Sequence, residues 1–377
     1  MTADTPLSSP DPTQAAVAAL GWTDAARGLA LSRWLQALVP AQDLRPDTIV
    51  AASADASFRR YFRVSTTGGD TRIVMDAPPQ HENSQPFVAV ASLMRQAGVR
   101  VPEVLAWDAA QGFMLLSDLG DQTLLAVLDP EQPAAALPYF KDAVAALLDW
   151  QRASRPGVLP AYDAALLQRE LQLFPDWYLA QHRGVALDDS SRAMLDKTFG
   201  LIVARNLAAP SVFVHRDFMP RNLMLPRAGW DPAHPDQRLG VLDFQDAVYG
   251  PVTYDIASLM RDAFLTWEED MVLDVTIRYW EQARQAGLLD FDGWSQDFGA
   301  FYRAVDWMAL QRHLKVAGIF ARLTLRDGKP KYLADAPRFL HYIRATALRY
   351  RELQPLLRFI DQVEGWQASS GFAFGRL

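Results

Sequence analysis

The 377-residue sequence contains no cysteine. Disulfides, thiol nucleophiles and thiolate metal sites are therefore excluded, which is compatible with the cytoplasmic location we expect. Lysine is nearly as scarce. Lys141, Lys197, Lys315, Lys329 and Lys331 are the whole complement, so the first 140 residues hold none and arginine carries most of the positive charge. No excess of basic charge exists either. The formal net charge is -7, which removes the electrostatic footprint of a nucleic-acid binder. No apolar run is long enough to span a bilayer, so membrane insertion is not expected. The start of the chain lacks the basic and apolar regions of a signal peptide. Residues 1–14, rich in Pro, Ser, Thr and Asp, read as a disordered tail. What remains is an ordinary enzyme composition, 50% hydrophobic and 21% charged, in a chain long enough for two lobes.

The hydrophobic spacing changes character along the chain. Ala15 to Leu38 has helical periodicity, with Pro40 as a stop. Strand signals follow at Thr48 to Ala52, Arg60 to Val64 and Thr71 to Met75, the last two separated by the turn Thr66 to Asp70. A helix is expected from Gln85 to Ala97, ended by Gly98, then strands at Val104 to Trp107 and Phe113 to Ser117. Beyond Gly120 the pattern is mainly helical, at Tyr139 to Trp150, Ala165 to Gln181, Ser191 to Leu207 and from Tyr254 to Phe359. Two short β-like runs, Ser211 to Val214 and Arg238 to Leu242, interrupt it. Strands first and helices later argue for an α+β fold with a small antiparallel-sheet lobe at 15–118 and a larger helical lobe at 119–377. The segment after Gln354 stays unassigned.

The chemistry concentrates in the middle. His215-Arg216-Asp217 follows an apolar strand, and Asn222 stands five residues after Asp217. Asp243-Phe244-Gln245-Asp246 begins 21 residues beyond Asn222, again after an apolar run. Phosphoryl transfer needs a carboxylate to take the acceptor's proton and oxygen ligands for magnesium. His-Arg-Asp with an Asn at that spacing is a kinase catalytic-loop pattern. The expected roles are Asp217 as base and Asn222 with Asp243 as ligands of Mg²⁺, with ATP as co-substrate. His215 is expected to be a structural hydrogen-bonder.

Val214 to Leu225 and Gly240 to Leu259 resemble the aminoglycoside phosphotransferase and choline kinase group, including Gly250-Pro251 and Asp255-Ile256-Ala257. The resemblance implies a protein-kinase-like two-lobe fold and a structural role for Asp255. The runs Ala54 to Val64, Ile73 to Pro79 and Arg169 to Phe174 resemble a subgroup that contains the anomeric sugar kinases of bacterial cell-wall recycling. Those enzymes phosphorylate the 1-hydroxyl of N-acetylmuramate and N-acetylglucosamine. The similarity runs from about Thr48 to Leu323 and implies a small amino-sugar substrate. Another alcohol acceptor, such as an aminoglycoside or choline, or a nucleotide-binding regulator without turnover, are the alternatives.

One kinase feature is missing. No lysine occupies the third strand, where Met75 stands near the expected place, and the helix Gln85 to Ala97 holds no glutamate. Arg59, Arg60 or Arg72 could supply the phosphate-neutralising charge instead. The nucleotide is expected against Ser57, Phe58, Arg59 and Met75, with Ser117, Asp118 and Leu119 at the hinge. Substrate candidates are Glu170, Arg221, Gln245, Asp246, Trp307 and Arg312, with Trp177, Gln311 and His313 as further possibilities.

Overall fold

The computed structural model describes residues 11–54 and 58–367. Two helices open it, α1 (Pro12–Ala18) and α2 (Ala25–Gln42). Asp11 and Asp24 cap them, their carboxylates accepting from the backbone N–H of Thr13 and Ala26. The single helix expected from Ala15 to Leu38 is thus broken, with Gly21 at φ +70° in the break. The first helix also begins inside the stretch read as a tail; residues 1–10 lie outside the described residues. Pro40 does not stop α2. It lies in the last turn of the helix, two residues before its end, and Asp43 at φ 51° ends the helix instead.

The first lobe is built on five strands: β1 (Leu44–Ala54), β2 (Arg60–Thr66), β3 (Thr71–Asp76), β4 (Val104–Asp108) and β5 (Phe113–Ser117). They form one antiparallel sheet in the order β1-β2-β3-β5-β4. The meander is a direct consequence of the short turns between successive apolar-rich runs. Helix α3 (Gln85–Gln96) joins β3 to β4. Alternation sorts the sheet's two faces. Phe62, Val64, Val74, Phe113 and Leu115 face α1 and α2, while Met75, Met114 and Leu116 pack with Phe87, Val90 and Met94 of α3.

After Ser117 the chain crosses to the second lobe through Asp118-Leu119-Gly120 and enters β6 (Gln122–Thr123). Its helices are α4 (Pro133–Arg152), α5 (Ala164–Leu171), α6 (Asp189–Ala208), α7 (Tyr254–Met260), α8 (Glu269–Gln285), α9 (Phe298–Leu325), α10 (Ala336–Arg349) and α11 (Gln354–Glu364). The helix expected at Ala165 to Gln181 divides into α5 and a π-helical stretch, Phe174–His182. Leu173 lies where Gly318 of α9 comes so close that a Cβ would stand 2.3 Å from its carbonyl oxygen. Helix α9 runs through the lobe's interior, so residues on every side of it are buried. Strands β7 (Ser211–Val214) and β10 (Val248–Pro251) pair antiparallel, and β6, β8 (Leu223–Leu225) and β9 (Gly240–Val241) make a second small sheet. These two small sheets carry the loops of interest. The expected strand Arg238 to Leu242 is only Gly240–Val241, and β10 was not foreseen.

Candidate active site

The loop His215 to Asn222 leaves the end of β7, and the loop Leu242 to Ala247 leaves β9 and leads into β10. Because β7 pairs with β10, and β8 with β9, both loops open on one side. Asn222 ties them together. Its Nδ2 donates to the Asp217 carbonyl (2.8 Å) and lies 3.4 Å from Asp243 Oδ2. The Leu242 amide donates to the Asn222 carbonyl at 2.9 Å. Arg216 and Asp243 are non-glycine residues in left-handed backbone, at φ 77° and 64°. Such conformations are costly and persist where the surroundings enforce them.

Asp255, in the first turn of α7, does the enforcing. Its two carboxylate oxygens accept from the amides of His215 (2.7 Å) and Arg216 (3.0 Å). Complete burial outweighs those donors and nearby Arg312, pushing its carboxyl up to about 7. His215 adds a second brace. Its Nδ1 accepts from the Asp217 amide (3.2 Å), which leaves Nε2 to donate to the Leu242 carbonyl (3.0 Å). Burial holds this imidazole down to about 4, so it stays neutral in the tautomer that joins the two loops.

A buried ionic group stands behind the loop. Glu170 of α5 meets Arg216 Nη2 at 2.6 Å and Lys315 Nζ at 3.1 Å, and accepts from the Tyr162 hydroxyl. Burial would raise the Glu170 carboxyl, but Lys315, Arg216 and Tyr162 together hold it below its ordinary range. Arg312 Nη1 donates to the Arg216 carbonyl at 2.9 Å and its guanidinium lies 4.9 Å from the Tyr254 ring centroid. Lys315 was missed in the sequence. No spacing marked it, because it follows Gln311-Arg312-His313-Leu314 in a run already rich in polar residues and its partner Glu170 lies far away in the sequence.

The structure brings some expected residues to the opening and not others. Asp217, Asn222, Asp243 and Gln245 are joined there by hydrogen bonds, and Arg221 and Asp246 belong to the same two loops. Gln245 Nε2 donates to Asp243 Oδ1 at 2.9 Å, the Asp246 carboxylate side is exposed, and exposed Arg221 lies over the Phe264 ring. Glu170 and Arg312 sit beneath the loop and brace it rather than face the opening. Trp307 is 1% exposed inside the helical core, with Arg205 over its ring and Tyr350 beside it. Gln311 donates to the Leu167 carbonyl and His313 stacks on Tyr342, both buried, while Trp177 packs against the same core. The reason is common to the α9 residues: an enclosed helix has no outward face.

On the other lobe, Ser57 lies outside the described residues. Phe58 is exposed and stacks on His81, and Arg59 pairs with Glu82. Met75 is 1% exposed, packed against α3. Ser117 Oγ accepts from the Glu103 amide. The Asp118 carboxylate is engaged by Arg63 (2.6 Å), Thr71 (2.6 Å) and the Gly120 amide (3.0 Å), so at the hinge only its backbone remains for a ligand. Leu119 is buried and fills the space above Gly240, where a Cβ would stand 2.7 Å from its Cδ1.

A constellation of one carboxylate on each of two loops with an amide between them suits phosphoryl transfer. Comparison with known proteins agrees. The chain is 45% identical over 350 residues to a Neisseria meningitidis serogroup B protein called N-acetylmuramate/N-acetylglucosamine kinase, covering 92% of this chain and 99% of that one. A Pseudomonas aeruginosa protein of the same name is 49% identical over 342 residues, covering 89% and 96%. Among solved structures, Plasmodium vivax ethanolamine kinase aligns with a TM-score of 0.56 at 12% identity, covering 89% of each chain. A GDP complex of an aminoglycoside phosphotransferase aligns at 0.53 and 15%, covering 85% and 98%. These likenesses show the protein-kinase-like two-lobe fold. The model of the phosphotransferase enzyme family matches residues 48–293, and the chain belongs to that family.

Proposed function

We propose that this chain is an ATP-dependent sugar kinase that phosphorylates the anomeric 1-hydroxyl of an N-acetylated amino sugar, N-acetylmuramate or N-acetylglucosamine. The single observation that carries the reaction type is the Asn222 amide, which joins the loop of Asp217 to that of Asp243. The names of relatives at 45% and 49% identity carry the acceptor.

Asp217 is assigned to the base. Its backbone is fixed by His215 and by Asn222, so its carboxylate can meet an acceptor hydroxyl in one orientation. The proton of the 1-hydroxyl passes to that carboxylate, the sugar oxygen bonds to the γ-phosphorus, and the bond to the β-phosphate oxygen breaks to release ADP. Asn222 and Asp243 fit a magnesium ion. The Asn222 amide nitrogen is engaged by protein acceptors, which turns its oxygen to the task, and Asp243 adds a carboxylate. Among the described residues no group of three His, Cys, Asp or Glu could hold a metal, and a nucleotide-bound magnesium does not need one, since phosphate and water complete its shell. When bound, the ion offsets the phosphates' negative charge. Gln245 orients Asp243, while Asp246 and Arg221 stand at the opening where an acceptor would dock.

An ADP-release assay with both sugars tests the proposal. Phosphate on the anomeric oxygen removes the sugar's reducing end and is labile to mild acid. ATP-dependent loss of reducing sugar, reversed by mild acid, is the expected result. A product that keeps its reducing end would defeat the 1-hydroxyl assignment.

A further inference from the structure

The two acceptors proposed above differ at their 3-position. N-acetylmuramate carries a lactyl ether there, ending in a carboxylate, whereas N-acetylglucosamine carries a hydroxyl. An anionic acceptor approaches loops that already bear the carboxylates of Asp217, Asp243 and the exposed Asp246. Like charges repel, so such an acceptor needs a cation at the same opening. Behind the catalytic loop, Arg216 and Lys315 are neutralised by Glu170 at 2.6 and 3.1 Å, and buried Arg312 donates to the Arg216 carbonyl.

Arg221 is placed differently. Pro220, Arg221 and Asn222 form one 3-10 turn, in which successive side chains point about 120° apart. Pro220 and Asn222 are buried, so Arg221 takes the outward side. Its guanidinium lies 4.8 Å from the Phe264 ring centroid, and among the described residues it has no hydrogen bond or ion pair. The ring contact holds the arginine in place without consuming the planar fork of donors that matches a carboxylate. Phe264 is itself fixed. It lies between α7 and α8, its ring centroid 6.0 Å from that of buried Phe320 in α9, and Arg338 donates to the carbonyl of neighbouring Ala263 at 2.6 Å. This platform belongs to the second lobe, whereas Phe244, beside Asp243, meets Phe87 of α3 in the first. The nucleotide is expected from the first lobe, so Arg221 lies toward the acceptor.

We infer that Arg221, seated on Phe264, is the specificity-determining residue of the acceptor site and takes the lactyl carboxylate of N-acetylmuramate. This rests on the sugar-kinase reading above. Arg221 stands four residues after Asp217 on the same loop, so one short segment carries both the base for the 1-hydroxyl and the cation for the lactyl arm. N-acetylglucosamine lacks the carboxylate and draws nothing from that charge.

The test measures kcat/KM on N-acetylmuramate, its methyl ester and N-acetylglucosamine for wild type, Arg221→Ala and Arg221→Lys, at saturating ATP with Mg²⁺. Loss of one charge-assisted contact should lower the ratio of kcat/KM for N-acetylmuramate to that for N-acetylglucosamine at least about 10-fold in Arg221→Ala, chiefly through KM. Arg221→Lys should recover part of the loss, since it keeps the charge without the fork. The methyl ester keeps the lactyl arm and lacks the charge. In wild type it should be at least about 10-fold poorer than the acid, a comparison that needs no variant to fold, and Arg221→Ala should nearly erase that difference. An unchanged ratio in Arg221→Ala would overturn the inference, as would an ester equal to the acid in wild type. Equal losses on both sugars with a raised Michaelis constant for ATP would assign Arg221 to the transferred phosphate and overturn it too. Wild type active on N-acetylglucosamine alone would sink the inference and leave the kinase reading standing. Activity on neither sugar would remove that reading as well.

Discussion

Single side chains decide whether the two loops hold their shape. His215 joins them as a neutral imidazole, and His313, beneath in α9, is neutral for the same reason: burial lowers its pKa to about 3. A group whose folded pKa lies below its unfolded value resists protonation in the folded state. Its stabilising share is complete above the unfolded value near 6.5 and is lost as the pH falls toward the folded value. His313 Nε2 faces the Arg261 carbonyl, with Arg261 and Arg312 adding to the penalty on its cation. His313→Gln keeps a donor for that carbonyl and removes the titration. The variant should lose about 2 kcal/mol less stability than wild type between pH 7 and pH 5. Urea midpoints across that range report it, and parallel profiles would contradict it.

At the scale of elements, the crossing between lobes depends on a backbone only glycine tolerates. Gly120 has φ +126°, and a Cβ there would stand 2.6 Å from the Leu225 carbonyl oxygen of β8. Gly120→Ala must move either the crossing or β8, and β8 follows directly on Asn222. We expect a stability loss of roughly 1–3 kcal/mol together with reduced turnover; a variant equal to wild type in both would show that the crossing is slack. The elements were legible where a pattern stood alone. The alternation of β2, β3 and β5 and the order of the two loops follow from spacing in the sequence. What was not legible depends on enclosure. Trp307, Gln311, Arg312 and His313 are substrate candidates by residue type, yet α9 is surrounded, so polar and aromatic residues on it mark no surface. Pro40 and the break near Gly21 misled for a local reason: residue type shows where a helix can end, while packing decides where it does.

Across the whole molecule, the lobes are joined by a network of unequal parts. Arg227, from the loop after β8, donates to Thr71 Oγ1 of β3 and meets Asp118 at 3.3 Å. Its side chain is 41% exposed, whereas that of Asp118 is 3% exposed. An exposed partner is screened, and a buried carboxylate leaves Arg63 stranded when removed. Arg227→Ala should therefore cost at most about 1 kcal/mol, and Asp118→Ala about 3–5 kcal/mol. Equal losses in denaturant titrations would contradict that ranking. The pair also shows how much of the site could be read in advance. That the loops of Asp217, Asn222 and Asp243 come together was legible in their spacing and strand contexts. The roles of Asp118, Glu170 and Lys315 depend on partners 40 to 150 residues away, which spacing does not reveal. Under the proposed function, this framework serves one carboxylate, that of Asp217. The most direct test of the account is Asp217→Asn, with turnover of ATP and N-acetylglucosamine measured beside the affinity for AMP-PNP. Removing a general base while keeping shape should lower turnover roughly 10²- to 10⁴-fold and leave nucleotide affinity nearly unchanged. Turnover at the wild-type rate in that variant would contradict the central claim.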